Sequence, residues 1–297
     1  MKLDDDALSI LAGGRIGMLS LHGGRQPLIN PAAYHFGDGS IWMTTSRYAT
    51  KLVLARRDPR AGFLVGVGSS SVLLLGTLEA FDPLSVSGQL RAALQGPSFY
   101  LNLAGYAMKN AGFVGGYVMD LTRIPSHWWP QNRVVLRLKA HRAVTQIAEP
   151  VPPLEAARVP GISAKLARSL GKVATAFGCW VQGGYPVLAP VQWATDGESL
   201  FVVSRADTPA APPKPVAGAI VVESHHRFRA TRMLGACLRG RLQVDDSAFE
   251  MVADRYGVSF ETGFGARLDP LRATTWSGFE VATHSIERAS QVAATGT

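Results

Sequence analysis

"RQPLINPAAYHFGDGSIWMTTSR" (residues 25–47) and "GYPVLAPVQWATDGESLFVVSR" (184–205) are two versions of one pattern. Pro27 and Pro31 stand as far apart as Pro186 and Pro190. Asp38-Gly39 and Asp196-Gly197 are each followed by eight residues ending in Ser-Arg. Upstream, "RIGMLSL" (15–21) matches "KVATAFG" (172–178). Downstream, "RAGFLV" matches "VAGAIVVE", and "LLLGTLEAF" matches "ACLRGRLQV". Five matches in the same order point to an internal duplication.

Each copy reads as short strands with turns between them. In the first, "IGMLSL", "PLINPAAYHF" and "SIWMTTS" are strands, and glycine turns fall at "HGGRQ" and "GDG". A short helix is expected over "RYATKLVLARRD", with Tyr48, Leu52 and Ala55 on one face, ending before Pro59. "AGFLVGVG" and "VLLLGTLEAF" return as strands, and "VVLRLKAHRAVTQI" (134–147) supplies the last. Several short antiparallel strands around one core make a small barrel. Residues 85–130 read as helices covering its mouth. The expected organisation is a first barrel over 1–147, a Pro-rich linker over 148–161, and a second barrel over 162–297.

The composition is 47% hydrophobic and 18% charged, with Gly 31 and Pro 18, which suits a turn-rich globular protein with a substantial core. "MKLDDDALSI" is acidic where an export signal needs positive charge, and no apolar run reaches membrane-spanning length without a polar break. The expected setting is therefore cytoplasmic, with no membrane partner. Cys179 and Cys237 have no metal-type spacing and suit buried free thiols. Of the net charge of +8, residues 1–150 carry 15 Lys and Arg against 9 Asp and Glu. No nucleic-acid-binding pattern accompanies that surplus, so a local anion site is expected, with no nucleic-acid partner.

The ordered run "GRIGMLSL...QPLINPAAYHFGDGSIWMTTSRYATKLVLARRDPRAGFLV" resembles the pyridoxamine 5'-phosphate oxidase-like, FMN-binding split-barrel superfamily. The most telling parts are the strand ending Thr-Thr-Ser, the Lys five residues later, and Arg-Arg-Asp-Pro-Arg. The resemblance covers residues 8–82 well and 134–147 more loosely. It implies a mainly β, α+β fold: two tandem split β-barrels forming an intramolecular pseudo-dimer. It further implies a flavin at the interface and an oxidoreductase acting on a small organic substrate. A further homodimer is left open.

On that resemblance, a phosphate would be held by Thr44, Thr45, Ser46, Thr50, Lys51 and Arg56. These residues offer hydroxyls, cations and a helix N-terminus. Asn30, Pro31, Ala32 and Ala33 would line the ring, with Trp42 or Met43 flanking the cradle strand. Gln192, Trp193 and Trp276 would come from the other barrel. The same cations also suit a solvated helix face, and the aromatics an interface core. The second copy replaces Thr44-Thr45 with Val202-Val203, puts a Pro-rich loop in place of Lys51, and adds Asp207. One FMN per chain is therefore expected. The deazaflavin F420, a haem, or an empty, non-catalytic barrel are the alternatives on the same fold. The adjacent His225 and His226 diverge and suit no metal, and no catalytic acid or base is assigned.

Overall fold

The computed structural model describes residues 3–67, 70–147, 159, 161–173, 175–205, 209–224, 229–260 and 262–286. Apart from Val159 and Gly161, the expected linker lies outside them, as do Asp207, His225 and His226.

Chain-local chemistry sets the elements of the first copy. Asp4 caps helix α1 (Asp5–Gly13) by accepting a hydrogen bond from the Ala7 amide at 2.7 Å. Three strands follow: β1 (Ile16–Leu21), β2 (Leu28–Gly37) and β3 (Ser40–Ser46). β2 and β3 are joined by Asp38-Gly39, both at positive φ (51° and 66°), a turn whose twist matches the flanking strands. Helix α2 (Thr50–Arg57) comes next and is shorter at its start than expected; Leu52 and Ala55 are buried, but Tyr48 precedes the helix and is exposed. β4 (Arg60–Val67) and β5 (Ser70–Phe81) lead into α3 (Val86–Leu94), α4 (Pro97–Lys109) and α5 (Ala111–Met119). Three single 3₁₀ turns then precede β6 (Arg133–Ile147).

The second copy starts with α6 (Ala164–Leu170), followed by β7 (Thr175–Gln182), β8 (Tyr185–Thr195), β9 (Leu200–Ser204) and β10 (Val216–Ser224). It ends with β11 (Leu234–Val244), α7 (Ser247–Tyr256), β12 (Phe264–Ser277) and β13 (Glu280–Ser285). The first barrel closes in the order β1-β2-β3-β6-β5-β4. The second closes in the matching order β7-β8-β9-β12-β11-β10, with β13 added as a hairpin on β12. The chain is a tandem pair of barrels in an α+β fold.

The ladders agree residue by residue. Gly17 pairs Ala32 as Ala176 pairs Val191, and both copies break register at an equivalent glycine, Gly76 against Ala140 and Gly240 against Pro270. A Cβ on either glycine would run into a carbonyl of the facing strand, Lys139 O or Asp269 O. These bulges bend the long strands enough to close each barrel.

The ladders also correct the sequence match. β1 superposes on Thr175–Trp180, two residues beyond "KVATAFG", because Met18 faces Pro31 where Phe177 faces Pro190. Likewise Val203 and Ser204, not Val202 and Val203, take the places of Thr44 and Thr45. The cause is the β8–β9 turn, in which Asp196 accepts from the Glu198 and Ser199 amides, so the two Asp-Gly pairs are one position out of step.

One large core joins the barrels. Met18, Ile29, Leu64, Leu73 and Leu75 of the first pack with Trp180, Leu188, Trp193, Val221 and Leu238 of the second. Polar contacts cross the same seam: Ser20 Oγ donates to Pro186 O at 2.6 Å, and Gln146 Nε2 to Leu188 O at 3.2 Å. A separate core, with Tyr34, Ile41, Met43, Phe63 and Leu136, fills the first barrel.

Candidate functional site

A cavity of about 560 Å³ opens beside the seam between the barrels. Its first wall is β1 at Ile16, β2 at Leu28 and from Asn30 to Ala33, the end of β3, and residues 48–51. Its opposite wall comes from the second barrel: Arg239 on β11, Thr274 and Trp276 on β12, then Phe279, Val281 and Thr283. Tyr106 of α4, Phe113 and Tyr117 of α5, and His127 and Trp128 close it over.

Strand alternation sorts the hydroxyl row at the end of β3. Ile41 and Met43 point into the first barrel's core, and Thr45 is buried with them. Thr44 and Ser46 face the cavity. Thr44 Oγ1 accepts from Arg133 Nη2 at 2.6 Å and lies 3.2 Å from the Tyr106 hydroxyl. Ser46 Oγ donates to His127 O at 2.5 Å. Arg133 is there because β6 pairs with β3, setting Arg133 opposite Ser46.

Just beyond, α2 begins without a side-chain cap, since Ala49 has no acceptor to offer. Its first residues, Thr50 and Lys51, line the cavity, which puts the partial positive charge of the helix start on that side. Burial, and then the neighbouring Arg133 guanidinium, lower Lys51 from 10.5 to about 8. Lys51, Arg133 and Arg239 all line the cavity, and no Asp or Glu does. Among the described residues none of the three has a carboxylate within ion-pair distance.

The opposite wall carries two buried donors without a partner, Arg239 Nε and Trp276 Nε1. Arg239 is oriented by a 2.8 Å bond from Nη2 to Thr274 Oγ1. Trp276 lies against Gly235, where a Cβ would strike its indole ring. Unpartnered N–H groups on a cavity wall are costly unless water or a ligand accepts from them. An aromatic rim surrounds the opening: Phe279 packs on Trp128 at 5.4 Å and on Tyr117 at 6.1 Å between ring centroids. Arg133 sits over the Tyr117 and Trp128 rings at 5.7 and 5.6 Å.

No family model matches the sequence, and no curated protein does. Solved structures do resemble it. A FAD-binding protein from Mesorhizobium loti is 16% identical with a TM-score of 0.33, covering 50% of this chain and 96% of its own. General Stress Protein 26 from Bacillus anthracis is 15% identical with a TM-score of 0.33, over 49% and 94%. An F420 reductase is 13% identical with a TM-score of 0.34, over 48% and 98%. The tandem-barrel architecture rests on this chain's own strand order.

Of the residues singled out in sequence, Asn30, Pro31, Ala32, Ala33, Thr44, Ser46, Thr50, Lys51 and Trp276 meet in this cavity. Six others lie elsewhere. Met43 and Thr45 point into the barrel. Trp42 faces α4, stacks on Phe81 at 6.0 Å and donates to Gly37 O. Arg56 turns outward, its guanidinium 3.9 Å from Asp82. Trp193 is wholly buried in the second barrel, bonded to Val173 O and covered by Arg255. Its neighbour Gln192 is also buried away from the cavity.

Sequence reasoning passed over Arg133, Arg239, Tyr106, Phe113, Tyr117 and Phe279. Each reaches the cavity only through strand pairing or barrel packing. A cation beside the bulge glycine, "LRGR", was the one local hint for Arg239.

Proposed function

We propose that the chain binds FMN in the cavity between its barrels, one per chain, and serves as a flavin-dependent oxidoreductase on a small organic substrate. One observation carries this reading: a cavity lined by Lys51, Arg133 and Arg239 with no carboxylate, whose far wall holds the unpartnered donors Arg239 Nε and Trp276 Nε1. An anionic end and an acceptor-bearing ring edge are what such a lining lacks.

The residues fit the group. Lys51, Thr50 and the leading amides of α2 would hold the phosphate, with Arg133 adding charge behind Thr44 and Ser46 tying the strand end to His127 O. Asn30 to Ala33 would edge the ring, while Arg239 and Trp276 donate to its electron-rich side from the second barrel. A bound flavin supplies hydride transfer. The chain's part is to neutralise charge, fix orientation and keep out water with Phe113, Tyr117, Trp128 and Phe279.

The equivalent place in the other half lacks these groups, which supports a single site. Leu75 and Gln146 stand where Arg239 and Trp276 stand, and Gln146 is already bonded to Leu188 O. No helix matching α2 occurs among the described residues between β9 and β10.

The test is a visible spectrum of the untreated full-length protein, followed by FMN titration of any colourless fraction with flavin fluorescence as readout. One FMN per chain is expected. A deazaflavin band at shorter wavelength assigns F420, and a Soret band assigns haem. No chromophore and no uptake rejects a cofactor role altogether.

A further inference from the structure

Three successive helices, α3, α4 and α5, each leave an apolar stripe in water. On α3 it is Val86, Leu90 and Leu94, one turn apart and 84, 60 and 76% exposed. On α4, Leu101 and Met108 are 71 and 79% exposed, with Tyr100 beside them. On α5, Val118 and Met119 are 61 and 73% exposed.

The chain provides its own control. α7 occupies the same position in the second copy, between the fifth and sixth strands, and buries Ala248, Val252 and Tyr256 against β8 and β9. The insert's apolar helix faces thus have no counterpart on α7. The inner side of that insert is accounted for, because Tyr106, Phe113 and Tyr117 roof the cavity.

Charge selects the occupant. Between residues 85 and 127 the only carboxylate is Asp120, which is 2% exposed and bonded to Arg229 and Thr231 of the second barrel. Arg91 stands in solvent on α3, and Arg123, just past α5, is exposed with its guanidinium 4.0 Å from Asp120. The exposed carboxylate beside the insert, Asp38 of the β2–β3 turn, is tied down by Ser98 and Asn102 of α4. A second copy meeting this face about a twofold axis would set these cations near their own counterparts. An anionic lipid surface complements both the apolar stripes and the cations. At 9, 13 and 9 residues the helices are too short to span a bilayer and suit its interface. Among the described residues no helix is long and apolar enough to cross one.

We infer that α3–α5 form a docking surface for an anionic membrane, placing the roof of the cavity at the lipid interface. This departs from the expectation of no membrane partner, which rested on the lack of a spanning segment. It needs no assumption about what fills the cavity.

The test uses the full-length protein with sedimented vesicles of phosphatidylcholine, alone or mixed with phosphatidylglycerol. Wild type should pellet with the mixed vesicles and much less with phosphatidylcholine. The triple variant Leu94→Glu, Leu101→Glu, Met108→Glu should lower the bound fraction by about tenfold, with near-ultraviolet circular dichroism unchanged. Val244→Glu, at the far end of β11, outside the cavity and 47% exposed, should bind as wild type does. Wild type remaining in the supernatant at low salt overturns the inference, as does a triple variant that pellets like wild type. So does a dimer in gel filtration that the triple variant dissolves while neither protein binds vesicles.

Discussion

Lys51 is a cation held where water is scarce, beside another cation and with no carboxylate to repay it. An anion in the cavity relieves that cost. Lys51→Ala is expected to weaken FMN binding by about 1.5–3 kcal/mol, the usual worth of a charge-assisted bond. Lys214→Ala, in the exposed loop of the second copy, should leave affinity unchanged. Fluorescence titration of both variants checks this; equal losses would move the site away from Lys51.

The sign of the pH effect follows from the same burial. Lys51 loses its proton near 8 when folded and near 10.5 when unfolded. Between those values the unfolded chain holds the extra proton, so the folded state gains stability from this group as pH rises through the window. Anion binding works the other way, because it needs the proton back. FMN affinity should rise as the phosphate takes its second charge around pH 6, level off near pH 7, and decline above about 8. In Lys51→Ala the decline should vanish. An unchanged slope in that variant would assign the titration to another group.

Among the elements, the paired bulges explain why two divergent halves keep one shape. Gly76 and Gly240 cannot accept a Cβ without displacing backbone, whereas a Cβ at Gly66 meets only ordinary contacts, the nearest being Ser71 Cβ at 3.7 Å. Gly76→Ala should cost about 1–3 kcal/mol in urea unfolding, as overpacking does. Gly66→Ala should change stability by well under that amount. If the two variants unfold alike, the bulge is not what closes the barrel. These glycines were visible in the sequence, but their equivalence was not. The turn after Thr195 shifts the motif by one residue, and only the hydrogen-bonded ladder restores the register.

For the whole molecule, the main core belongs to both barrels at once. Unfolding should therefore be one transition, with circular dichroism and cavity binding lost together. Trp180→Ala, 2% exposed in that core, should lower stability by about 3–5 kcal/mol. Two resolved transitions in calorimetry would show that the barrels are energetically separate.

The duplication, the strand lengths and the hydroxyl-to-lysine run from Thr44 to Lys51 were determined by the sequence alone, because periodicity, turns and helix starts depend on near neighbours. Which hydroxyls face the cavity was not: Thr44 and Ser46 turn out and Thr45 turns in according to how β3 pairs with β6. Arg133 and Arg239 were likewise placed only by tertiary structure, whereas Trp276 was already expected from the other barrel on the resemblance. The three come from β6, β11 and β12, and closing two barrels against each other is what brings them to one cavity. Arg56 shows the converse, since a cation in the right motif still goes to water when Asp82 and the helix face turn it outward.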